Sequence, residues 1–250
     1  MRKFGLIGYP LGHSFSKKYF ESKFASGNIE GCSYELYPMP SVNHLLDFIK
    51  AEPELLGLNV TIPHKTSVIP LLDSVDPEAA VVGAVNVIKI RRSNSTVYLK
   101  GFNSDVYGIE HSLDSITAGS SCKALVLGTG GSSRAVVHVL TKLQIPFLMV
   151  SRRPGQGMLN YSDIDETIID KHRLIINTTP LGMYPDINSC PELRYDLLSP
   201  SHTLFDLVYN PEMTMFLAKG KERGCTIING LKMLHLQADK SWSIWNDENH

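Results

Sequence analysis

A glycine-rich segment followed by an arginine pair has the residue types that bind a dinucleotide. Gly128-Thr129-Gly130-Gly131 lies between a predicted strand and a predicted helix. Glycines there permit a tight turn and let backbone N–H groups approach a pyrophosphate. About 20 residues further on, where an NAD site carries an acid, the chain has Ser151-Arg152-Arg153. Guanidinium groups bind a 2′-phosphate, so the pattern favours NADP over the alternative of a plain turn with solvated arginines.

Polar groups that can receive a substrate recur in the first half of the chain. The hydroxyls of His13-Ser14-Phe15-Ser16 either cap a predicted helix or, with its N–H groups, bind a carboxylate. Thr61 ends a predicted strand, and Lys65 follows just past its carboxyl end, where open α/β sheets place ligands. Asn86 and Asp105 add an amide and a carboxylate, and each alone is also compatible with turn chemistry. Their joint presence favours a ligand site.

Short β-rich runs alternate with helical stretches, which predicts βαβ units and a largely parallel sheet. The first half shows strands at Lys3–Gly8, Tyr34–Tyr37 and Leu56–Thr61, helices at Ser14–Ala25 and Val42–Ala51, and a hairpin of Val85–Ile90 and Thr96–Lys100 around Arg91–Ser95. The second half shows strands at Ala124–Leu127, Phe147–Val150, Leu174–Asn177, Leu204–Val208 and Thr226–Ile228, and helices at Ser132–Leu143 and Leu231–Trp245. The polar stretch Leu113–Ser121 is the predicted border between two α/β domains.

Composition excludes several classes of protein. The 250 residues are 43% hydrophobic and 20% charged, and 24 basic against 25 acidic residues give a net charge of −1, which argues against a nucleic-acid partner. The four cysteines are widely separated and lack metal-ligand spacing, so no metal is expected. No window approaches the roughly 20 apolar residues of a membrane span, and the apolar N-terminus is too short for a signal peptide. We expect a cytoplasmic protein without a membrane partner.

In their order and spacing, these segments resemble the shikimate dehydrogenase family over nearly the whole chain. The blocks that carry the resemblance are H-S-F-S, N-V-T-I-P-H-K, G-A-V-N, N-S-D-V-Y-G, G-T-G-G-S-S-R-A, S-R-R, N-T-T-P-L-G-M, D-L-V-Y-N-P and G-L-K-M-L-H-L-Q-A. The resemblance implies NADPH-dependent reduction of 3-dehydroshikimate to shikimate, toward chorismate and the aromatic amino acids. It also implies two α/β domains around a cleft: a substrate-binding catalytic domain at 1–105, a Rossmann-like NADP-binding domain at 106–230, and a C-terminal helix at 231–250 that packs on the first domain.

The same resemblance assigns the site residues. The substrate-binding positions are Ser14, Ser16, Thr61, Lys65, Asn86, Asp105, Tyr209 and Gln237, with Lys65 and Asp105 catalytic. The cofactor-binding positions are Gly128, Thr129, Gly130, Gly131, Ser132, Ser151, Arg152, Arg153, Leu207 and Gly230. The sequence departs from the family's common pattern by a lysine at position 17, where the family often has proline, and by polar residues at positions 129 and 132.

A ketone reduction needs a hydride donor and a proton for the oxygen. We expect Lys65 to act as general acid in reduction and as general base in oxidation, with Asp105 holding its ammonium group. A monomer or homodimer acting on a small molecule is expected. Two alternatives stay open: a quinate/shikimate dehydrogenase with relaxed substrate or cofactor choice, and a non-catalytic NADP-binding sensor.

Overall fold

Two α/β units make up the chain in the computed structural model, which describes residues 1–12, 15–94, 96–117 and 122–247. Unit 1 consists of Met1–Tyr107 and Gln237–His250, and unit 2 consists of Gly108–Leu236. The predicted class of two α/β domains is confirmed. The break between the units falls inside a helix, not within the predicted border stretch, of which residues 113–117 are helical.

Unit 1 is built on a six-stranded mixed sheet. Its strands are β1 (Arg2–Gly8), β2 (Cys32–Pro38), β3 (Leu55–Val60), β4 (Ser74–Val75), β5 (Val87–Ser93) and β6 (Thr96–Phe102), in the order β2-β1-β3-β5-β6-β4. Strands β1 to β3 are parallel, whereas β5 runs antiparallel to both β3 and β6. The hairpin is longer than predicted because Arg91–Ser93 pair with β6 instead of forming the turn. Arg92 also donates hydrogen bonds to backbone carbonyls, including that of Ile49.

Helices cover this sheet because its strands alternate large apolar residues between two faces. The helices are α1 (Phe15–Ser26), α2 (Leu45–Ala51), α3 (Pro77–Val82) and α4 (Asp105–Thr117), the last shared with unit 2. Phe4 and Leu6 of β1 pack in the same core as Phe20 of α1. Ile7, on the other face, packs with the buried residues of α2. The sheet therefore has a core on each side, and its strand ends remain available for polar groups.

Unit 2 has a five-stranded, wholly parallel sheet. Its strands are β7 (Ala124–Leu127), β8 (Phe147–Val150), β9 (Leu174–Asn177), β10 (Thr203–Asp206) and β11 (Thr226–Ile228), and its helices are α5 (Gly131–Lys142), α6 (Glu166–Lys171) and α7 (Met215–Glu222). The order β11-β10-β9-β7-β8 reverses direction between β7 and β9. Ligands of open α/β sheets bind at such a switch point, beyond the carboxyl ends of the strands. Strand β10 ends two residues before the predicted Val208 because the Asp206 side chain accepts the Val208 N–H and turns the chain.

The last helix, α8 (Leu231–Asn246), belongs to unit 1 from Gln237 onward. Trp245 stacks on Phe4 with ring centroids 4.8 Å apart, and its indole N–H donates to the carbonyl of Ile88 at 3.1 Å. Lys89 donates to the carbonyl of Ile244 at 2.9 Å, which satisfies an acceptor at the C-terminal end of the helix. These contacts fix the C-terminal half of α8 on the sheet of unit 1.

Candidate functional site

A lysine–aspartate pair lies at the centre of the polar groups of unit 1. Lys65 Nζ is 2.6 Å from Asp105 Oδ2, and the two side chains are only 14% and 6% exposed. An ion pair this close and this far from water keeps its electrostatic attraction, because solvent screens it little. The structure thus brings together two residues that are 40 positions apart in the sequence.

The loop that carries Lys65 is held from two sides. The N–H of Val85 donates to the backbone carbonyl of Lys65 at 2.7 Å. The ring of the buried His64 contacts the carbonyl of Met39 through Nε2 at 2.5 Å. Thr61, which begins the loop, donates its backbone N–H to Ile7 at 2.9 Å. The lysine therefore projects from a fixed backbone just past the carboxyl end of β3.

Asp105 is oriented by an amide. It begins α4, where a negative charge is favourable near the helix N-terminus. Asn86 Nδ2 donates to Asp105 Oδ1 at 2.7 Å, and Asn86 Oδ1 accepts from the backbone N–H of Ser104 at 2.7 Å. The two carboxylate oxygens thus have separate partners, Asn86 on one and Lys65 on the other. This arrangement fixes the orientation of the carboxylate.

Gln237 belongs to the hydrogen-bond network around Asn86 and Asp105, and it is linked to that network by residues that the sequence did not assign to the site. Ser104 Oγ donates to Gln237 Oε1 at 3.4 Å and lies 3.1 Å from the hydroxyl of Ser241. Asn59 Nδ2 donates to that hydroxyl at 2.9 Å, and Asn59 Oδ1 accepts from Tyr34 at 2.8 Å. Asn59 is the first residue of the N-V-T-I-P-H-K block, which carried no assignment for it. Nothing local in the sequence indicates Tyr34 or Ser241, since their partners are 25 and 182 residues away.

The start of α1 borders this network. Burial raises the pKa of the Tyr34 phenol, and a hydrogen bond from Ser16 acts in the opposite direction. Ser14 lies outside the described residues, so its predicted place beside Ser16 stays a prediction. Lys17, the departure from the family pattern, points to acidic side chains: its Nζ is 2.6 Å from Glu35 and 3.9 Å from Glu21. Its charge is therefore largely balanced within the described residues of unit 1.

The predicted cofactor loop of unit 2 follows β7 at the switch point. Gly128 has a φ of +108°, and a Cβ there would lie 2.8 Å from Thr178 Oγ1 and 3.0 Å from Thr179 Cγ2, so only glycine fits. A Cβ on Gly130, in contrast, would meet nothing within 4 Å. Gly130 is the N-cap of α5, and as a glycine it has no side chain to accept hydrogen bonds from the first N–H groups of the helix. The exposed Thr129, with Gly131 and Ser132 in the first turn, completes a backbone-lined helix N-terminus that suits a phosphate.

The arginine pair follows β8, the strand next to β7. Ser151 Oγ accepts the N–H of Arg153 at 3.2 Å, which shapes the turn. Arg152 and Arg153 are exposed, and neither forms an ion pair within the described ranges of the chain. Two guanidinium groups without acidic partners can bind an anionic ligand group.

Leu207 and Gly230 meet past the ends of β10 and β11. A Cβ on Gly230 would overlap the backbone of Leu207, and the N–H of Gly230 donates to Val208 at 3.2 Å. Tyr209 follows on the same loop of unit 2 and is half-buried. In unit 2 the structure therefore brings predicted cofactor positions to the carboxyl edge of the sheet.

Two further observations concern metal ligands and membrane-spanning helices. Among the residues that the structure describes, no group of three or more His, Cys, Asp or Glu side chains is arranged to hold a metal ion. None of the described helices is long and apolar enough to cross a membrane.

Comparison with known proteins identifies the family. Residues 6–88 match the model of the shikimate dehydrogenase substrate binding domain. A shikimate dehydrogenase (NADP(+)) from Methanosphaera stadtmanae is 33% identical over 262 residues, which cover 96% of this chain and 90% of that protein. The crystal structure of shikimate dehydrogenase from Aquifex aeolicus superposes with a TM-score of 0.86 at 32% identity, covering 98% of this chain and 92% of the other.

A second solved structure holds both ligands. The shikimate 5-dehydrogenase from Thermus thermophilus, in complex with NADP(H) and shikimate, has a TM-score of 0.84 at 29% identity, and the match covers 98% of this chain and 94% of that one. The order of motifs, the polar pair of unit 1, the glycine turn of unit 2 and these similarities agree. The chain belongs to the shikimate dehydrogenase family.

Proposed function

We propose that the chain catalyses the reversible reduction of 3-dehydroshikimate to shikimate with NADPH, in the cytoplasm, as a step toward chorismate and the aromatic amino acids. The observation that carries the proposal is the Lys65–Asp105 pair at 2.6 Å, oriented by Asn86 and withdrawn from water. Unit 1 is the proposed substrate domain and unit 2 the proposed NADP domain.

Lys65 supplies the proton in the proposed reduction. The hydride for the carbonyl carbon comes from NADPH when it is bound. As the oxygen becomes negative, the Lys65 ammonium transfers a proton to it and is left as a neutral amine, which solvent reprotonates. Asp105 holds the ammonium before the transfer, and the same amine accepts the proton in the oxidation of shikimate. Ser14, Ser16 and Tyr209 bind the substrate carboxylate, while Thr61, Asn86 and Gln237 complete the substrate pocket.

The residues of unit 2 fit NADP. The positive φ of Gly128 and the open space at Gly130 leave room for a pyrophosphate at the α5 N-terminus. Arg152 and Arg153 are exposed at the end of the neighbouring strand, where they hold the 2′-phosphate in the proposal. Leu207 and Gly230 line the cofactor on the other side of the switch point. These side chains bind and orient, and none of them needs to react.

Initial rates with the purified full-length protein test the proposal. Shikimate and quinate are each combined with NADP and NAD, and the formation of reduced cofactor is followed by absorbance. We expect fast turnover with shikimate and NADP, and a kcat/KM for NADP well above that for NAD because the arginine pair recognises the 2′-phosphate.

The other outcomes have defined meanings. Comparable turnover with quinate or NAD would contradict the proposal and would identify the protein as a quinate/shikimate dehydrogenase with relaxed substrate or cofactor choice. Binding of NADP by a folded protein without turnover in any combination would replace it by a non-catalytic NADP-binding sensor.

A further inference from the structure

A buried carboxylate in unit 2 takes no part in the proposed reaction. Asp206 ends β10 and is fully buried. Its Oδ1 accepts from Asn177 Nδ2 at 2.9 Å and from the N–H of Val208 at 3.0 Å, and its Oδ2 accepts from Thr214 Oγ1 at 2.6 Å. None of the ion pairs within the described part of the chain includes it. Burial raises the pKa of this carboxyl to about 6.

The carboxylate sets the direction of the neighbouring amide. An ionised carboxylate only accepts hydrogen bonds, so Asn177 must present its NH₂ group to Asp206. Its Oδ1 then faces the other way, where it accepts from the N–H of Thr179 at 3.0 Å and from Thr179 Oγ1 at 2.7 Å. The Asn177 side chain thereby binds both the backbone N–H and the hydroxyl of Thr179 in the segment after β9, and the orientation of that side chain depends on Asp206.

That segment is the surface on which the glycine turn rests. Thr178 donates to the carbonyl of Leu127 through both its backbone N–H at 3.0 Å and its Oγ1 at 2.6 Å. Gly128 follows Leu127 directly, and the space where its Cβ would be is filled by Thr178 and Thr179. A displacement of the two threonines would therefore shift the turn that leads into α5.

We propose that Asp206 is a positioning residue for the dinucleotide: through Asn177 it fixes the Thr178–Thr179 segment, and through that segment the Gly128 turn. The proposal rests on the proposed function for the identity of the ligand. An unpaired carboxylate buried at this depth costs stability. A role in holding the binding loop accounts for its place at the end of the strand next to β9.

The test measures NADP affinity in Asp206→Ala and Asp206→Asn. In the alanine variant we expect the Kd of NADP, from titration calorimetry, to rise about tenfold or more. KM for NADP should rise with it, while KM for shikimate changes less than about twofold. In the asparagine variant we expect a Kd near that of wild type, because the amide oxygen still accepts from Asn177 and Val208.

A matched control separates positioning from loss of stability. His202 is buried just before the first residue of β10, and its ring contacts the carbonyl of Ile169 at 3.1 Å. His202→Ala therefore weakens the same strand from the end opposite Asp206. The inference is overturned if Asp206→Ala binds NADP like wild type, or if His202→Ala weakens NADP binding as much at equal loss of stability.

Two provisions keep the test decisive. If Asp206→Ala does not fold, Asn177→Ser is tested in its place, since the serine side chain is too short to accept the hydrogen bonds from Thr179. If Asn177→Ser binds NADP as tightly as wild type, the inference is overturned. The proposed function is judged separately by wild-type turnover. If the wild-type protein prefers NAD, the Kd of NAD is compared between Asp206→Ala and wild type in place of the Kd of NADP. If the wild-type protein binds neither dinucleotide, the proposed function and the inference both fail.

Discussion

At the scale of single residues, Lys65 differs from an ordinary surface lysine by its surroundings. Its carboxylate partner is oriented by an amide, and its backbone is tied to Val85. Lys142 forms a comparable pair with Glu110 at 2.8 Å, but its side chain is 48% exposed. Each lysine thus forms an ion pair with a carboxylate, but the two lysines differ in burial and in the polar groups around them.

We expect Lys65→Ala to lower kcat for shikimate oxidation by about 100-fold or more, the usual contribution of a positioned acid or base. Shikimate should still bind, because hydroxyl and amide groups provide most of its proposed contacts. Steady-state kinetics and equilibrium titration with shikimate measure the two quantities. Lys142→Ala is the matched control and should keep its kcat. A Lys65→Ala enzyme with most of its kcat would contradict the proton-transfer role.

At the scale of elements, strands with continuous apolar runs could be predicted from the sequence. β7, β8, β9 and β11 have the predicted bounds because each contains an apolar run, and β7 and β9 are buried along their whole length. The two-residue strand β4 was missed, since it exists only through pairing with β6. Helix α4 was also missed, because its last turns run into a polar stretch that resembles a linker.

Some residues of the candidate site could likewise be predicted from the sequence, whereas others could not. Lys65, Asp105 and Asn86 belong to recognisable motifs, and the structure brings them together as expected. Asp206 and Asn177 also lie within quoted motifs, but their importance depends on burial and on contacts between strands. Those contacts join residues 29 positions apart, and no local pattern records them.

The packing of α8 on the sheet depends on a missing side chain. Gly57 of β3 lies against the indole of Trp245, and a methyl group there would overlap it. We expect Gly57→Ala to lower the free energy of unfolding by about 1–3 kcal/mol, as overpacking of a filled core does. Both tryptophans of the chain, Trp242 and Trp245, belong to unit 1, so urea unfolding followed by tryptophan fluorescence reports on this unit.

A loop glycine serves as the control for this substitution. Gly155 has only Met158 near its absent Cβ, at 3.9 Å, so Gly155→Ala should change stability by less than about 0.5 kcal/mol. Equal unfolding curves for Gly57→Ala and wild type would show that α8 does not depend on this close contact.

At the scale of the whole molecule, the chain keeps its two kinds of chemistry in separate units. The polar network with Lys65 belongs to unit 1, and the glycine turn, the arginine pair and Asp206 belong to unit 2. The net charge is −1 at pH 7 and becomes positive toward pH 4, as carboxyl groups and the nine histidines take up protons. The effect of one buried group on stability is therefore measured by comparing a variant with wild type at each pH, because the general charge repulsion acts on both.

Asp206 should make unit 2 less stable as the pH rises. Burial raises its pKa in the folded protein to about 6, against an ordinary value of 3.8, so the folded state binds the proton more tightly than the unfolded state. The stability that this provides is present below pH 4 and is lost as the pH rises through about 6. Asp206→Asn does not titrate, so its stability relative to wild type should increase by up to about 3 kcal/mol between pH 4 and pH 7.5.

Amide hydrogen exchange of β9 and β10, compared between variant and wild type at each pH, measures this difference because the intrinsic exchange rate cancels. The ratio of protection factors should rise about a hundredfold over the range. Asp196 provides a control of opposite sign, since its hydrogen bond with Arg194 lowers the pKa of that carboxyl. Asp196→Asn should lose protection relative to wild type as the pH rises. A constant ratio for Asp206→Asn would mean that the buried carboxyl is ionised at the same pH in the folded and unfolded chain.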